Sequence, residues 1–404
     1  MTLSTENTTP PLRIGILGAA RIARKNIAAI KHEASNCIVV AVASRSAAKA
    51  NDLIANYVNV PTAEHLHIEK VKVFSGNNAY NDLLASVDLV DAVYIPLPTT
   101  LKKEWTIRAL RSKKHVLVEK PVAPSAEDYR EMIYEAKLAK RYLMDGTMFV
   151  HHPRTDRFLS HIISSESSNN ASSSSFGAVT GIDAAFTILG NDDFMKNNIR
   201  MKKNGDFQGC IGDLGWYCIR LAQLTFRGVG VGSVKSAQVS DWKLNEEGVP
   251  IDATCLVTFQ ADDVNADADS NLTLSFHCSY LHPWNQRGEV YGTKETAQVM
   301  GFINPKDGTV SFQTCNKQTP SSAHKTGGCV DVHVPCEVPQ ITLMWSKFRE
   351  YCKVVEKSGW ADNDEASACI LSEMSWENQL IVDALMESVG GNGKAVKLPM
   401  GTSI

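Results

Sequence analysis

The spacing of apolar residues changes near residue 150, and the two halves predict different architectures. Up to residue 148, short apolar runs at 14–17, 37–43, 92–95, 115–118 and 142–144, with a further short strand candidate at 71–74, alternate with helical segments. Ile22, Ala23, Ile27 and Ile30 fall on one helical face, as do Tyr129, Met132, Ile133 and Ala136. Ser125-x-x-Asp128 supplies an N-cap pattern for the latter helix. Unbroken apolar runs suit strands covered on both faces, and their alternation with helices predicts a parallel sheet. Beyond His152 the period becomes two: Leu272, Leu274, Phe276, Cys278 and Tyr280 alternate with Thr273, Ser275, His277 and Ser279. Ala253, Cys255, Val257 and Phe259 repeat the pattern, which marks an antiparallel sheet with one buried face. Helical stretches at 211–226 and 364–389 complete this half.

The expected fold is therefore α/β. A doubly wound parallel domain over 13–150 precedes an α+β domain over 151–404, with a large, mostly antiparallel open sheet. Residues 1–12 read as a loose polar tail without the apolar core of a signal peptide, so the expected location is cytoplasmic. Residues 164–175, rich in serine, read as a surface insertion, and 262–270 as an acidic loop. No internal repeat is visible.

Composition narrows the function classes. The chain has 404 residues, 44% hydrophobic and 21% charged, with a formal net charge of −3. It carries no basic field for nucleic acid or anionic lipid, and no apolar run reaches the roughly 18 residues of a membrane span. Ten cysteines are scattered without a C-x-x-C pair, which predicts reduced thiols in the core and no structural zinc site. Asn271-Leu272-Thr273 matches a glycosylation acceptor, read as a chance match in a chain with no secretory signal.

Candidate chemistry gathers at the strand ends. Gly18-x-Ala20-x-x-Ala23 is a dinucleotide fingerprint with alanine at its middle glycine. A phosphate there meets Gly18, Ala20 and the first helical residues, Arg21 and Ile22. Ser44-Arg45, Leu97-Pro98-Thr99 and Glu119-Lys120 end later strands, and ligands bind beyond such carboxyl ends. The second strand ends in Ser44-Arg45 without an acid for a ribose hydroxyl. Arg45 can instead grip a 2′-phosphate, which favours NADP(H) over NAD(H).

Five stretches identify a resemblance: Val42-Ala43-Ser44-Arg45-Ser46, Tyr94-Ile95-Pro96-Leu97-Pro98-Thr99, Val118-Glu119-Lys120-Pro121-Val122, Met144-Asp145-Gly146-Thr147-Met148 and Gly212-Asp213-Leu214-Gly215-Trp216-Tyr217. The chain resembles the Gfo/Idh/MocA oxidoreductases from residue 14 to about 398. Within them it is most similar to the branch of eukaryotic plant-type oxidoreductases, dimeric dihydrodiol dehydrogenases and NADP-dependent D-xylose dehydrogenases. The resemblance implies a Rossmann domain, and a sheet domain whose open face pairs with another subunit in a homodimer or larger homo-oligomer. It places Lys120 beside nicotinamide and substrate, with Asp213 and Tyr217 as further site groups. Many relatives have a histidine near the position of Lys102, so the contacts of that loop are left open.

On this reading Lys120 stabilises a developing alkoxide and lowers the Tyr217 pKa from about 10. Tyr217 then acts as base for alcohol oxidation or acid for carbonyl reduction. Asp213, one helical turn earlier, either fixes Tyr217 or a substrate hydroxyl, or caps its own helix. His152, with His151 and Arg154, either lines the cleft or forms the hinge. Trp216 and Trp284 are further candidate substrate contacts, Trp284 in a loop with Arg287. The expected activity is hydride transfer between NADP(H) and a sugar, polyol or trans-dihydrodiol carbon, with no metal. The rivals are an NAD-dependent glycosidase of the same fold and a non-catalytic nucleotide sensor.

Overall fold

The computed structural model describes residues 10–58, 71–163, 175–260, 271–305, 311–316, 328–360 and 367–399. Its first part runs β1 (Leu12–Leu17), α1 (Arg21–Ile30), β2 (Cys37–Ser44), α2 (Ala47–Leu53), β3 (Lys72–Ser75) and α3 (Ala79–Leu84). It continues through β4 (Ala92–Ile95), α4 (Thr99–Arg111), β5 (His115–Val118), α5 (Ala126–Ala139) and β6 (Leu143–Asp145). These six strands form one sheet in the order β3-β2-β1-β4-β5-β6, every pair parallel. The order reverses between β1 and β4, and this opens a crevice at the strand carboxyl ends. Ser125 caps α5 by accepting from the Asp128 backbone N–H, as its sequence pattern predicts.

The second part begins with α6 (Pro153–Ile163), β7 (Val179–Leu189) and α7 (Asp192–Asn197). A π-helical turn, Ile211–Gly215, runs directly into α8 (Trp216–Gly228). Then follow β8 (Ser233–Leu244), β9 (Pro250–Gln260), β10 (Leu272–Ser279), β11 (Leu281–Gly292), β12 (Glu295–Met300), β13 (Ser311–Asn316) and β14 (Cys329–His333). The chain closes with α9 (Gln340–Ser358), α10 (Ser367–Gly390) and β15 (Val396–Lys397). The nine strands order as β14-β13-β12-β11-β7-β10-β9-β8-β15, antiparallel throughout except for β7 beside β10. Residues 1–9, 164–174 and 262–270, the expected tail, most of the serine-rich insertion and the acidic loop, lie outside the described residues, as does the start of the helix expected from 364.

Late segments of the chain stitch the two sheets together. Trp345 and Phe348 of α9 join Ile14, Ile27 and Tyr94 in the core on one face of the parallel sheet. Trp345 stands edge-on to Tyr94, 5.7 Å between ring centroids, and its indole N–H donates to Asn26 of α1 at 2.9 Å. On α8, Arg220 pairs with Asp145 at the end of β6 (3.1 Å), and Ser375 of α10 donates to the same carboxylate. A buried guanidinium needs such a partner, because an unpaired charge costs several kcal/mol.

One expectation is corrected here. Cys315 and Cys329 are joined by a disulfide, whereas the sequence suggests free thiols throughout. The two residues sit opposite each other in the β13–β14 antiparallel register, a proximity that a spacing of 14 residues without a C-x-x-C motif does not reveal. The remaining eight cysteines are free, and six of them are buried.

Trp345 has no exposed surface, so truncation leaves a large cavity and strands the Asn26 carboxamide oxygen. Trp345→Ala is expected to lower unfolding free energy by about 3–5 kcal/mol, read from urea denaturation.

Candidate active site

The strand-end residues assemble as one rim along β2, β1, β4 and β5. Gly18, just past β1, has φ +106 and donates its N–H to the Ala43 carbonyl at 2.8 Å. A Cβ there would stand 2.9 Å from Leu97 Cδ2, so glycine is required on both conformational and steric grounds. Ala20 takes the N-cap position of α1 without a side-chain cap, so backbone N–H groups of the first turn, including those of Arg21 and Ile22, are left for an anion. At the end of β2, the Ser44 hydroxyl accepts from the Ser46 N–H, while Arg45 is exposed and makes no hydrogen bond or ion pair among the described residues. Tyr80 lies near both Gly18 and Arg45, a neighbour that no sequence motif marks. An uncapped helix start, a glycine cradle and an unengaged guanidinium fit a phosphorylated dinucleotide.

Beyond β4, Leu97 is buried and Pro98 precedes α4. The Thr99 N–H and hydroxyl both donate to Asp206 Oδ1 at 2.8 Å, so the second domain caps a helix of the first. Lys102 is buried one turn along α4, and its ammonium donates to the Pro121 carbonyl at 2.6 Å. Burial pushes this ammonium down to about 8. Lys102 thus braces the segment that carries Lys120.

Lys120 meets Asp213 across the two domains. Its ammonium donates to Asp213 Oδ1 at 2.5 Å and to the Asp213 carbonyl at 2.8 Å. The other carboxylate oxygen receives Arg200 Nε at 2.7 Å and the Tyr280 hydroxyl at 3.0 Å. Burial alone would push the Asp213 carboxyl up, but Arg200 and then Lys120 outweigh it and hold the group well below the usual carboxylate range. The π-helical turn makes this meeting possible. A Cβ on Gly212 would stand 2.6 Å from Gln208 Cβ, a clash within the turn, and 3.3 Å from Pro121 Cγ, a tight contact with the segment that carries Lys120.

Tyr217 follows one turn later, with the Lys120 ammonium 4.7 Å from its ring centroid. The cation therefore lies over the ring face. Among the described residues the hydroxyl donates only to Met148 Sδ, at 3.8 Å. Two expectations are corrected. Asp213 engages Lys120, Arg200 and Tyr280, and it neither fixes Tyr217 nor caps a helix through its side chain. The Tyr217 phenol is pushed well above 10, first by burial and then by the Glu119 and Asp213 carboxylates, so the predicted lowering by Lys120 is absent.

Glu119 is buried, and its Oε1 accepts from the Tyr94 hydroxyl at 2.5 Å. His152 is buried, with Nδ1 accepting from the Arg154 N–H at 3.0 Å, and Arg154 reaches the Met300 and Gly301 carbonyls. These contacts tie the start of α6 to the end of β12. Trp216 is wholly buried and donates to Thr147 at 2.8 Å, so its indole faces the interior. Trp284 and Arg287 lie on β11 and not in a loop. Arg287 is engaged by Asp183 and Glu289, while Trp284 is 58% exposed and one ring removed from Tyr217. Phe186 stands between them, at 5.9 and 5.7 Å. Sequence reasoning missed Arg200, Asp206 and Tyr280, which belong to no motif.

Comparison with known proteins matches both parts of the chain. The family model described as "Oxidoreductase family, NAD-binding Rossmann fold" matches residues 12–147, and the "GFO/IDH/MocA C-terminal domain" matches 171–298. A dTDP-3,4-didehydro-2,6-dideoxy-alpha-D-glucose 3-reductase of Saccharopolyspora spinosa is 29% identical over 282 residues, 69% of this chain and 74% of the relative. A D-xylose 1-dehydrogenase (NADP(+)) of Haloferax volcanii is 31% identical over 217 residues, 53% of this chain and 57% of the relative. The chain thus spans little more than half the length of several curated relatives it matches. A crystal structure of a 3-ketoreductase from Actinomadura kijaniata with TDP-benzene and NADP superposes with a TM-score of 0.68 at 23% identity, covering 94% of this chain and 98% of that one. No helix among the described residues is long and apolar enough to cross a membrane. With both of its domains matched in order, and with the strand-end rim and the Lys120 segment in place, the chain belongs to the Gfo/Idh/MocA oxidoreductase family.

Proposed function

We propose that this chain is an NADP-dependent reductase of a sugar-derived carbonyl, with Lys120 and Tyr217 as its substrate-facing pair. The observation that carries the pairing is geometric: the Lys120 ammonium lies 4.7 Å from the Tyr217 ring centroid, so both side chains share one cleft. Burial and the Glu119 and Asp213 carboxylates raise the phenol, so it keeps a proton that it can give to a substrate oxygen. The names of the two curated relatives, one a sugar 3-reductase and one an NADP-dependent aldose dehydrogenase, support the sugar class.

The nucleotide, when bound, supplies the hydride donor. The chain's own residues hold and polarise. The first turn of α1 and Gly18 would hold the pyrophosphate, and the exposed Arg45 would hold the 2′-phosphate. The Asp213 carboxylate and carbonyl occupy two of the three Lys120 N–H groups, leaving one to aim at the substrate oxygen. As charge builds on that oxygen, the ammonium stabilises it and the Tyr217 hydroxyl delivers its proton. Exposed Trp284 provides an apolar face one ring away, suited to the C–H side of a sugar.

Four measurements test this reading. Arg45→Ala is expected to weaken NADPH about 10- to 100-fold, the worth of charged hydrogen bonds, with NADH nearly unaffected. An unchanged NADPH/NADH preference removes Arg45 from the site. Tyr217→Phe is expected to lower kcat for reduction about 10²- to 10⁴-fold while NADPH still binds. The parent rate should show no alkaline loss from Tyr217 up to about pH 9, because the raised pKa keeps the proton on the phenol there. Asp213→Asn strands Lys120 and Arg200 without their counter-charge. It should cost about 3–5 kcal/mol in urea denaturation as well as activity.

A further inference from the structure

The opposite face of the nine-stranded sheet carries a second cluster that the proposed reaction does not use. Strand register fixes its location. His277 pairs with Thr254 and Ala185, and Ser279 with Asp252 and Thr187, so all six residues project from one face. Their neighbours Ala253, Cys255, Phe276 and Cys278 are buried on the other face, the one against which Gly215 packs. Tyr280, which reaches Asp213, shares that inner side. The sheet itself therefore separates this cluster from Lys120.

Asp252, His277 and His282 come together on the outer face, at the point where β10 passes into β11. His277 Nε2 lies 2.7 Å from Asp252 Oδ1, and His282 Nε2 lies 3.9 Å from Asp252 Oδ2. The two imidazoles meet edge to face, 5.1 Å between centroids. One ligand atom from each of the three residues lies within 4.8 Å of the others. Tetrahedral zinc with bonds of about 2.0–2.1 Å spaces its ligand atoms by about 3.4 Å, and the observed separations bracket that value.

The donor set has the right chemistry for a borderline metal. Asp252 offers one carboxylate oxygen toward each imidazole, Oδ1 toward His277 and Oδ2 toward His282. Asp252 is buried, His277 half-buried and His282 exposed, so two ligands are held by the sheet while the third swings to complete the set. Arg287, on the same face, is neutralised by Asp183 and Glu289 and does not oppose a cation. Two imidazoles and one carboxylate select zinc-like ions over calcium or magnesium, which prefer all-oxygen cages.

We propose that Asp252, His277 and His282 form a binding site for a divalent transition metal of the zinc class, with the fourth position open to water. A bound ion would clip β9 and β10 to the start of β11. It would act as a fastener of the sheet and take no part in hydride transfer, because the sheet lies between it and Lys120.

The test uses the full-length protein after chelator treatment, titrated with Zn²⁺ by calorimetry and with Co²⁺ by visible absorption. Saturable binding, a tetrahedral Co²⁺ spectrum and a raised Tm with Zn²⁺ are expected. Asp252→Asn and His282→Ala should each weaken Zn²⁺ by more than the about 10- to 100-fold that loss of an outer hydrogen-bond partner costs. His282 is exposed, so His282→Ala keeps the fold and leaves the result readable should Asp252→Asn fail to fold. Absence of saturable binding in the parent overturns the proposal. Equal affinity in parent and His282→Ala also overturns it, since it assigns the ion to other groups.

Discussion

The buried pair between Lys120 and Asp213 is the constraint on which the site depends. A lysine and an aspartate taken out of water cost several kcal/mol each unless their geometry is good and their remaining hydrogen-bonding capacity is met. Here the demand is met by many elements at once. Arg200 and Tyr280 saturate the second carboxylate oxygen, and Lys102 holds the Pro121 carbonyl immediately after Lys120. Asp206 sits at the start of α4, where its charge complements the helix dipole and offsets the buried cations. The cations Lys102, Lys120 and Arg200 face the anions Glu119, Asp206 and Asp213, so the cluster balances. Because its members come from both parts of the chain, its formation also ties the two together.

The environment of Tyr217 shows how one contact can have two meanings. A lysine beside a phenol oxygen favours phenolate, whereas a lysine over the ring face leaves the oxygen without a cation and contributes attraction to the ring instead. Burial and the nearby carboxylates then prevail. Sequence distance cannot distinguish these arrangements, since both need only Lys120 and Tyr217 in one cleft.

The difference between what was legible and what was not follows from this. Strand ends were legible because period and continuity of apolar residues locate them, and the switch-point rule then says where a ligand lies. Gly18 and Arg45 were singled out on that ground, whereas Lys120 needed its strand-end position together with the family resemblance. Arg200 and Asp206 lie in an irregular segment between β7 and the π-helical turn, and Tyr280 sits in an alternating strand pattern that marks its face but not its partner, so only the folded chain brings all three to Asp213 and α4. Trp216 sits next to Tyr217 in the chain, yet helical geometry turns it inward to Thr147. The Cys315–Cys329 bond and the cluster at Asp252 share one origin: strand register creates proximity that linear spacing does not encode.

The same logic reaches Glu119 through the core. Trp345 on α9 donates to Asn26 on α1, Asn26 donates to the Tyr94 hydroxyl at 2.7 Å, and Tyr94 donates to Glu119. Each donor in this chain leaves the next no other orientation, so an indole, an amide and a phenol are aligned head to tail toward one carboxylate. From the other side Gly146 closes on Glu119, where a Cβ would stand 3.1 Å from Oε2. Glu119 is thereby held rigidly beside Lys120. Burial pushes its carboxyl up against the opposing pull of Tyr94 and the lysines. A rim residue fixed by a tryptophan more than 200 residues later explains why α9 returns to the nucleotide domain: the packing that completes its core also orients its active edge.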